Sequence, residues 1–162
     1  MDYDQILPQL FVGSYPRTSD DIARLQTECG ITAVLNIQTD EDPRSLNLPW
    51  DALQAHCASC GIAFQNAPVR DGDTLELRDK LPGCVRALDE LLKSGHTVYL
   101  HCTAGMNRSP TVAIAYLWWC RGWSLKDAAA HVARRRDCAP DLEALREAVW
   151  DPLDAGADSR PA

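Results

Sequence analysis

The run from Thr97 to Cys120 constrains this chain more than any other part of it. Thr97, Val98, Tyr99 and Leu100 read as a short buried strand, and Arg108 to Cys120 carries the apolar spacing of a helix. Between them lies His101-Cys102-Thr103-Ala104-Gly105-Met106-Asn107-Arg108-Ser109-Pro110, in which five residues separate a cysteine from an arginine. A loop that leaves a strand and enters a helix gathers backbone N–H groups at the positive end of the helix dipole, where an anion is stabilised. Such a unit predicts an α/β fold with the loop at the carboxyl end of a central strand.

Each residue type in the loop suits a nucleophile inside a phosphate cradle. A free thiol titrates near ~8.5, but one facing a helix start can fall to roughly 3.5 to 7.5, so Cys102 is expected to react as a thiolate. Arg108 offers a planar fork able to hold two phosphate oxygens, while loop N–H groups from Thr103, Ala104, Gly105, Met106 and Asn107 take the others. Gly105 and Asn107 are the types most tolerant of the left-handed backbone that an inward-curling loop requires. Ser109 is placed to donate its hydroxyl to the sulfur when it leaves.

The pattern resembles the dual-specificity branch of the cysteine-dependent protein tyrosine phosphatases. Their motif H-C-x-x-G-x-x-R-[ST] is matched by His101, Cys102, Gly105, Arg108 and Ser109. The resemblance covers most of the chain. Ile6 to Gly13 is similar to the family's opening strand, Ile31 to Gln38 to its V-x-N-L strand, and Ala113 to Leu117 to its A-Y-L helix. It implies a single-domain fold with a central mixed sheet flanked by helices on both faces, catalytic over residues 1–150.

The resemblance also implies a general acid on an upstream loop, and Val69 to Leu77 is similar to that loop. Asp71 takes the role by its spacing to Leu77, with Asp73 as the alternative. The acid would protonate the departing oxygen and, as carboxylate, activate the water that hydrolyses a phosphocysteine. Such chemistry needs no metal or cofactor and gives a bell-shaped pH profile.

Composition bounds the partners. The chain has 162 residues, 46% apolar, enough for one core and no second module. A formal charge of −7 argues against nucleic acid or an anionic membrane as partner. No apolar run reaches the roughly 18 residues of a span, and the N-terminus lacks a signal-peptide pattern, which predicts a cytoplasmic location; a monomer is expected. Seven cysteines, an odd number, fit a reducing compartment. Cys57-Ala58-Ser59-Cys60 is expected to be two thiols on one helix face rather than a zinc or redox site. Arg134-Arg135-Arg136 is expected to be a solvated helix end, with an anion contact at the site mouth as the alternative. Trp118 and Trp119 are expected to pack in the core.

Helices are predicted over Ser19 to Glu28, Trp50 to Cys60, Pro82 to Lys93, Arg108 to Cys120, Ser124 to Arg135 and Asp141 to about Trp150. The tail from Asp151 to Ala162 is predicted to be disordered.

Substrate choice rests on the resemblance alone. Cys-Thr-Ala-Gly-Met is similar to the C-x-A-G-x-G-R loop of glucan phosphatases, a group that includes plant starch phosphatases and laforin. Leu77 to Pro82 and Asp137 to Arg146 continue that similarity. This favours a phosphorylated glucan. Several departures stand against it: Asn107 replaces a glycine, and Gly72, Ala139 and Ser45-Leu46 stand where sugar-stacking aromatics are expected. A phosphoprotein phosphatase, acting at tyrosine or at serine and threonine, and a phosphate-binding pseudoenzyme therefore stay open. Two related groups are disfavoured. Low-molecular-weight phosphatases place the loop near the N-terminus, and phosphoinositide phosphatases place lysines inside it.

Overall fold

The strand predicted before the loop forms as β5 (Val98–His101), and all four residues are buried. It is the middle strand of a five-stranded sheet in a computed structural model that describes residues 1–152. The other strands are β1 (Tyr3–Leu7), β2 (Leu10–Gly13), β3 (Ala33–Asn36) and β4 (Ala63–Asn66), in the order β1-β2-β5-β3-β4. β2, β5, β3 and β4 run parallel, and β1 is antiparallel to β2, which makes the sheet mixed.

The two-residue period of the strands sorts side chains between two cores. Leu10, Val12, Ala33, Leu35, Val98 and Leu100 face one cluster; Phe11, Val34 and Tyr99 face the other. The first cluster is closed by α4 (Thr74–Lys93), α5 (Arg108–Cys120), α6 (Leu125–Arg135) and α7 (Leu142–Glu147). The second is closed by α1 (Ser19–Cys29) and α3 (Trp50–Ser59), through Ile22, Leu25 and Cys57. A five-residue helix, α2 (Glu41–Ser45), completes the set. Truncating one of these buried leucines to alanine costs about 2–5 kcal/mol.

Several expectations change. Ile6 to Gly13 is a hairpin broken at Pro8, because proline has no N–H for the ladder. β4 and α2 were not foreseen, being short and, for β4, open to solvent. α4 begins at Thr74, eight residues before Pro82, because the Asp73 side chain caps it by accepting from the Glu76 amide at 2.9 Å. The last helix ends at Glu147, short of Trp150. Cys57 is buried and Cys60 sits at the C-cap of α3, 3.5 Å from His56 Nε2; both are free thiols. Trp118 and Trp119 pack against the first core, and Trp119 stacks on Trp150 at 5.0 Å. The tail expected to be disordered lies, from residue 153 on, outside the described residues. No described helix is long and apolar enough to cross a membrane.

Candidate active site

The loop between β5 and α5 is built by turning its carbonyls outward. The Thr103 carbonyl accepts from the Tyr15 amide at 3.0 Å, and that of Met106 from the Ala139 amide at 2.8 Å. Asn107 O accepts from both the amide (3.0 Å) and the hydroxyl (2.7 Å) of Thr111. Arg136 donates to Ala104 O at 3.3 Å and to Gly105 O at 2.6 Å. His101 Nδ1 lies 3.0 Å from Cys102 O. With the carbonyls so engaged, the loop amides face the other way, and among the described residues no protein acceptor takes the N–H groups of residues 103–107.

Gly105 adopts φ +68°, as expected, and a Cβ there would overlap the Gly13 carbonyl and approach Arg136 Nη2 to 2.6 Å. Asn107 departs from expectation. Its φ is −121°, and its side chain instead donates to Ala139 O at 2.9 Å, tying the loop to the segment after α6.

Cys102 is 2% exposed at the base of the loop, with its Sγ 3.3 Å from Ser109 Oγ. His101 is fully buried, and that burial pushes its imidazole down to about 4, so the ring is neutral and Nδ1–H can donate to Cys102 O.

Arg108 is 1% exposed and gripped from one side. Nη2 and Nη1 lie 2.9 and 3.2 Å from the two Asp42 oxygens, Nη1 also donates to Val69 O at 2.8 Å, and Nη2 to Thr103 Oγ1 at 3.1 Å. Burial opposes the guanidinium charge, but the Asp42 hydrogen bonds and the nearby Cys102 and Asp71 outweigh it and hold the charge firmly. Nε lies 3.2 Å from Asp71 Oδ1, close enough for an ion pair, yet its N–H has no hydrogen-bond acceptor. One donor edge of the fork is thus unused.

Asp42 is the main residue that sequence reasoning missed. It accepts from the Thr39 amide at 2.8 Å, Thr39 Oγ1 at 3.1 Å and Thr103 Oγ1 at 2.7 Å in addition to Arg108. Burial works against its charge, but these donors, Arg108 foremost, pull its carboxyl down to about 2. The spacing Thr39-x-x-Asp42 was a legible signal of a helix start with a carboxylate reaching back.

The two acid candidates separate cleanly. Asp71 is 67% exposed in the turn before α4 and pairs with Arg108. Asp73 caps α4 and accepts from Arg70 Nη1 at 3.5 Å. A cavity of about 350 Å³ opens beside Asp71 and Asp42, lined also by Thr39, Glu41, Ser45 and Arg70.

The arginine run is not a uniform solvated end. Arg134 and Arg135 are exposed, but Arg136 is 3% exposed and points inward. It is neither solvated nor an anion contact, since its donors go to loop carbonyls and to Asp2 and Asp4.

Comparison with known proteins agrees with this geometry. The dual specificity phosphatase catalytic domain matches residues 10–146. The chain is 38% identical over 151 residues to the chloroplastic phosphoglucan phosphatase LSF1 of Arabidopsis thaliana, covering 93% of this chain and 25% of that protein. It is 31% identical over 172 residues to laforin of Mus musculus, covering 93% and 49%. It therefore spans a quarter to a half of the length of these relatives. In fold it is similar to the solved structure of Tk-PTP in a G95A mutant form, with a TM-score of 0.72, 24% identity, and 90% and 93% of the two chains covered. The catalytic-domain match, which takes in the cysteine, the arginine and the loop that joins them, places the chain in the dual-specificity phosphatase family.

Proposed function

We propose that residues 1–150 hydrolyse phosphomonoesters through a phosphocysteine, and that the substrate is a phosphorylated glucan. The observation that carries the chemistry is the set of donors that no described protein group accepts from: the inward loop amides together with the Nε–H of Arg108. That set matches three non-bridging phosphate oxygens held over a sulfur nucleophile.

In the first step the Cys102 thiolate attacks phosphorus, the P–S bond forms and the P–O bond to the leaving group breaks. Asp71, protonated, gives its proton to the departing oxygen. In the second step Asp71, now a carboxylate, takes a proton from water as that water attacks phosphorus. The P–S bond breaks, inorganic phosphate leaves, and Ser109 donates a hydrogen bond to the returning thiolate. Arg108, fixed by Asp42, stays charged and planar through both steps.

The glucan reading is supported by the similarity to LSF1, which is named a phosphoglucan phosphatase. One observation favours a phosphoprotein instead. Gly72, Ser45, Leu46 and Ala139 are exposed around the site and carry no ring to stack on a sugar. Phosphate release from phosphorylated amylopectin and from a phosphotyrosine peptide, each with the native chain and with Cys102→Ser, separates the two. Faster release from amylopectin supports the glucan reading, faster release from the peptide replaces it, and no release from either removes the enzymatic reading.

A further inference from the structure

The phosphate loop is held open from behind by a charge relay that starts at the N-terminus. Arg136 lies just past the end of α6 in extended backbone, φ −139° and ψ 131°, which turns its side chain under the loop rather than out along the helix. There four of its N–H donors are divided between two tasks. Nε donates to Gly105 O at 2.6 Å and Nη2 to Ala104 O at 3.3 Å, while Nη1 and Nη2 pair with Asp4 Oδ2 at 2.9 Å and Asp2 Oδ2 at 3.3 Å. The side chain is 2% exposed, whereas Asp2 and Asp4 are 72% and 42% exposed.

A guanidinium in that position is costly to bury unless its charge is balanced and its hydrogens are taken. The two carboxylates supply the balance, and two consecutive carbonyls supply the acceptors. Those are the carbonyls at the tip of the loop, the stretch with the fewest other ties. Thr103, Met106 and Asn107 are fastened by backbone amides, but Ala104 and Gly105 rely on Arg136. Holding a peptide's C=O outward fixes the N–H of the following residue inward, so the donors set in this way are the amides of Gly105 and Met106. Gly105 has no Cβ to separate Arg136 from the loop, and its own φ allows the turn.

We infer that Arg136, charge-balanced by Asp2 and Asp4, is a positioning residue for phosphate binding: it orients the Gly105 and Met106 amides toward the oxyanion without touching it. The inference rests on the phosphatase reading above, and it gives Asp2, just before β1, and Asp4, within it, an indirect part in phosphate binding through Arg136.

The test uses p-nitrophenyl phosphate as substrate and tungstate as an oxyanion probe, with the full chain, Arg136→Lys, Arg136→Met, and the double variant Asp2→Asn with Asp4→Asn. Lysine keeps the charge but cannot serve both carbonyls and both carboxylates at once. The expected result is a tungstate Ki raised on the order of tenfold or more in Arg136→Lys, with KM raised alongside it, and a smaller rise in the double asparagine variant. Combining Arg136→Lys with the two asparagines should raise Ki by less than the product of the separate effects, because the residues act as one unit. A lower melting temperature with Ki and KM unchanged in Arg136→Lys and the asparagine variant would make the arginine a fold prop only and overturn the inference, even if Arg136→Met does not fold. Absence of both turnover and tungstate binding in the native chain would instead remove the phosphatase reading, and this inference with it.

Discussion

Asp42 and Arg108 form the bidentate pair at the heart of the site, Oδ1 to Nη2 at 2.9 Å and Oδ2 to Nη1 at 3.2 Å, with side chains 9% and 1% exposed. The pair locks the guanidinium plane while leaving Nε–H for a substrate oxygen. Removing one member of a buried pair strands the other, at a cost of about 3–5 kcal/mol. Asp42→Asn is nearly the same size and keeps an acceptor oxygen, but it cannot receive both arginine nitrogens as an anion. Its expected outcome is a kcat/KM lowered on the order of tenfold or more, with a lower melting temperature. Steady-state kinetics beside calorimetry check it, and an unchanged kcat/KM would show that Val69 O and Thr103 suffice to hold Arg108.

Asp71 and Asp73 should fail in different ways. Asp71→Asn removes the proton donor, so turnover of an alkyl phosphate falls by roughly 10² or more, while p-nitrophenyl phosphate, whose leaving group needs little protonation, suffers less. Asp73→Ala removes the cap of α4 and costs about 1 kcal/mol of stability with kcat little changed. Kinetics on the two substrates with each variant decide the assignment. A larger kcat loss in Asp73→Ala would move the acid role to that residue.

The helix after the loop, the central strand and the mixed sheet were readable because they follow from local patterns: Arg108 to Cys120 keeps helical spacing without interruption, and β5 is uniformly apolar until His101. The cysteine, arginine and serine share one ten-residue stretch, so their meeting needed no tertiary information. Asp42 and Arg136 lie 60 and 34 positions from Cys102, and only the folded chain brings them together. Nothing in Arg134-Arg135-Arg136 marks which arginine turns inward. That depends on where α6 stops and on the Gly105 backbone, both of which are set by packing. Pro82 misled for a related reason. It reads as a helix start, but a 20-residue helix capped at Asp73 and packed on α5 and α7 absorbs one lost N–H.

His101 gives the fold an acid-sensitive window. Its folded value of about 4 lies below the ordinary 6.5, so between those values the unfolded chain binds a proton that the folded chain refuses. Stability therefore falls as pH drops from about 6.5 to about 4, by about 3 kcal/mol over the full window. Asp42 acts lower: its carboxyl, held at about 2, contributes stability that is present above the ordinary carboxylate value of 3.8 and lost as pH falls through about 2. Urea melts from pH 7 to pH 4 should show the first loss in the native chain and a flatter profile in His101→Gln. An equal slope in both would assign the acid sensitivity elsewhere.

Ser109 acts on the second half of the reaction. Its Oγ is 3.3 Å from Cys102 Sγ and fully buried, placed where sulfur regains negative charge as the P–S bond breaks. A hydroxyl donor to that charge in a water-poor site stabilises the leaving thiolate, and alanine removes it while leaving attack on substrate almost intact. Ser109→Ala should therefore slow hydrolysis of the phosphocysteine until it limits turnover. With p-nitrophenyl phosphate, rapid mixing would give a burst of nitrophenol close to one equivalent per site, followed by a slow steady phase. Quenched enzyme should carry a covalent phosphate on Cys102, detectable by intact mass. A slow variant with no burst would mean that Ser109 assists attack rather than departure of the sulfur.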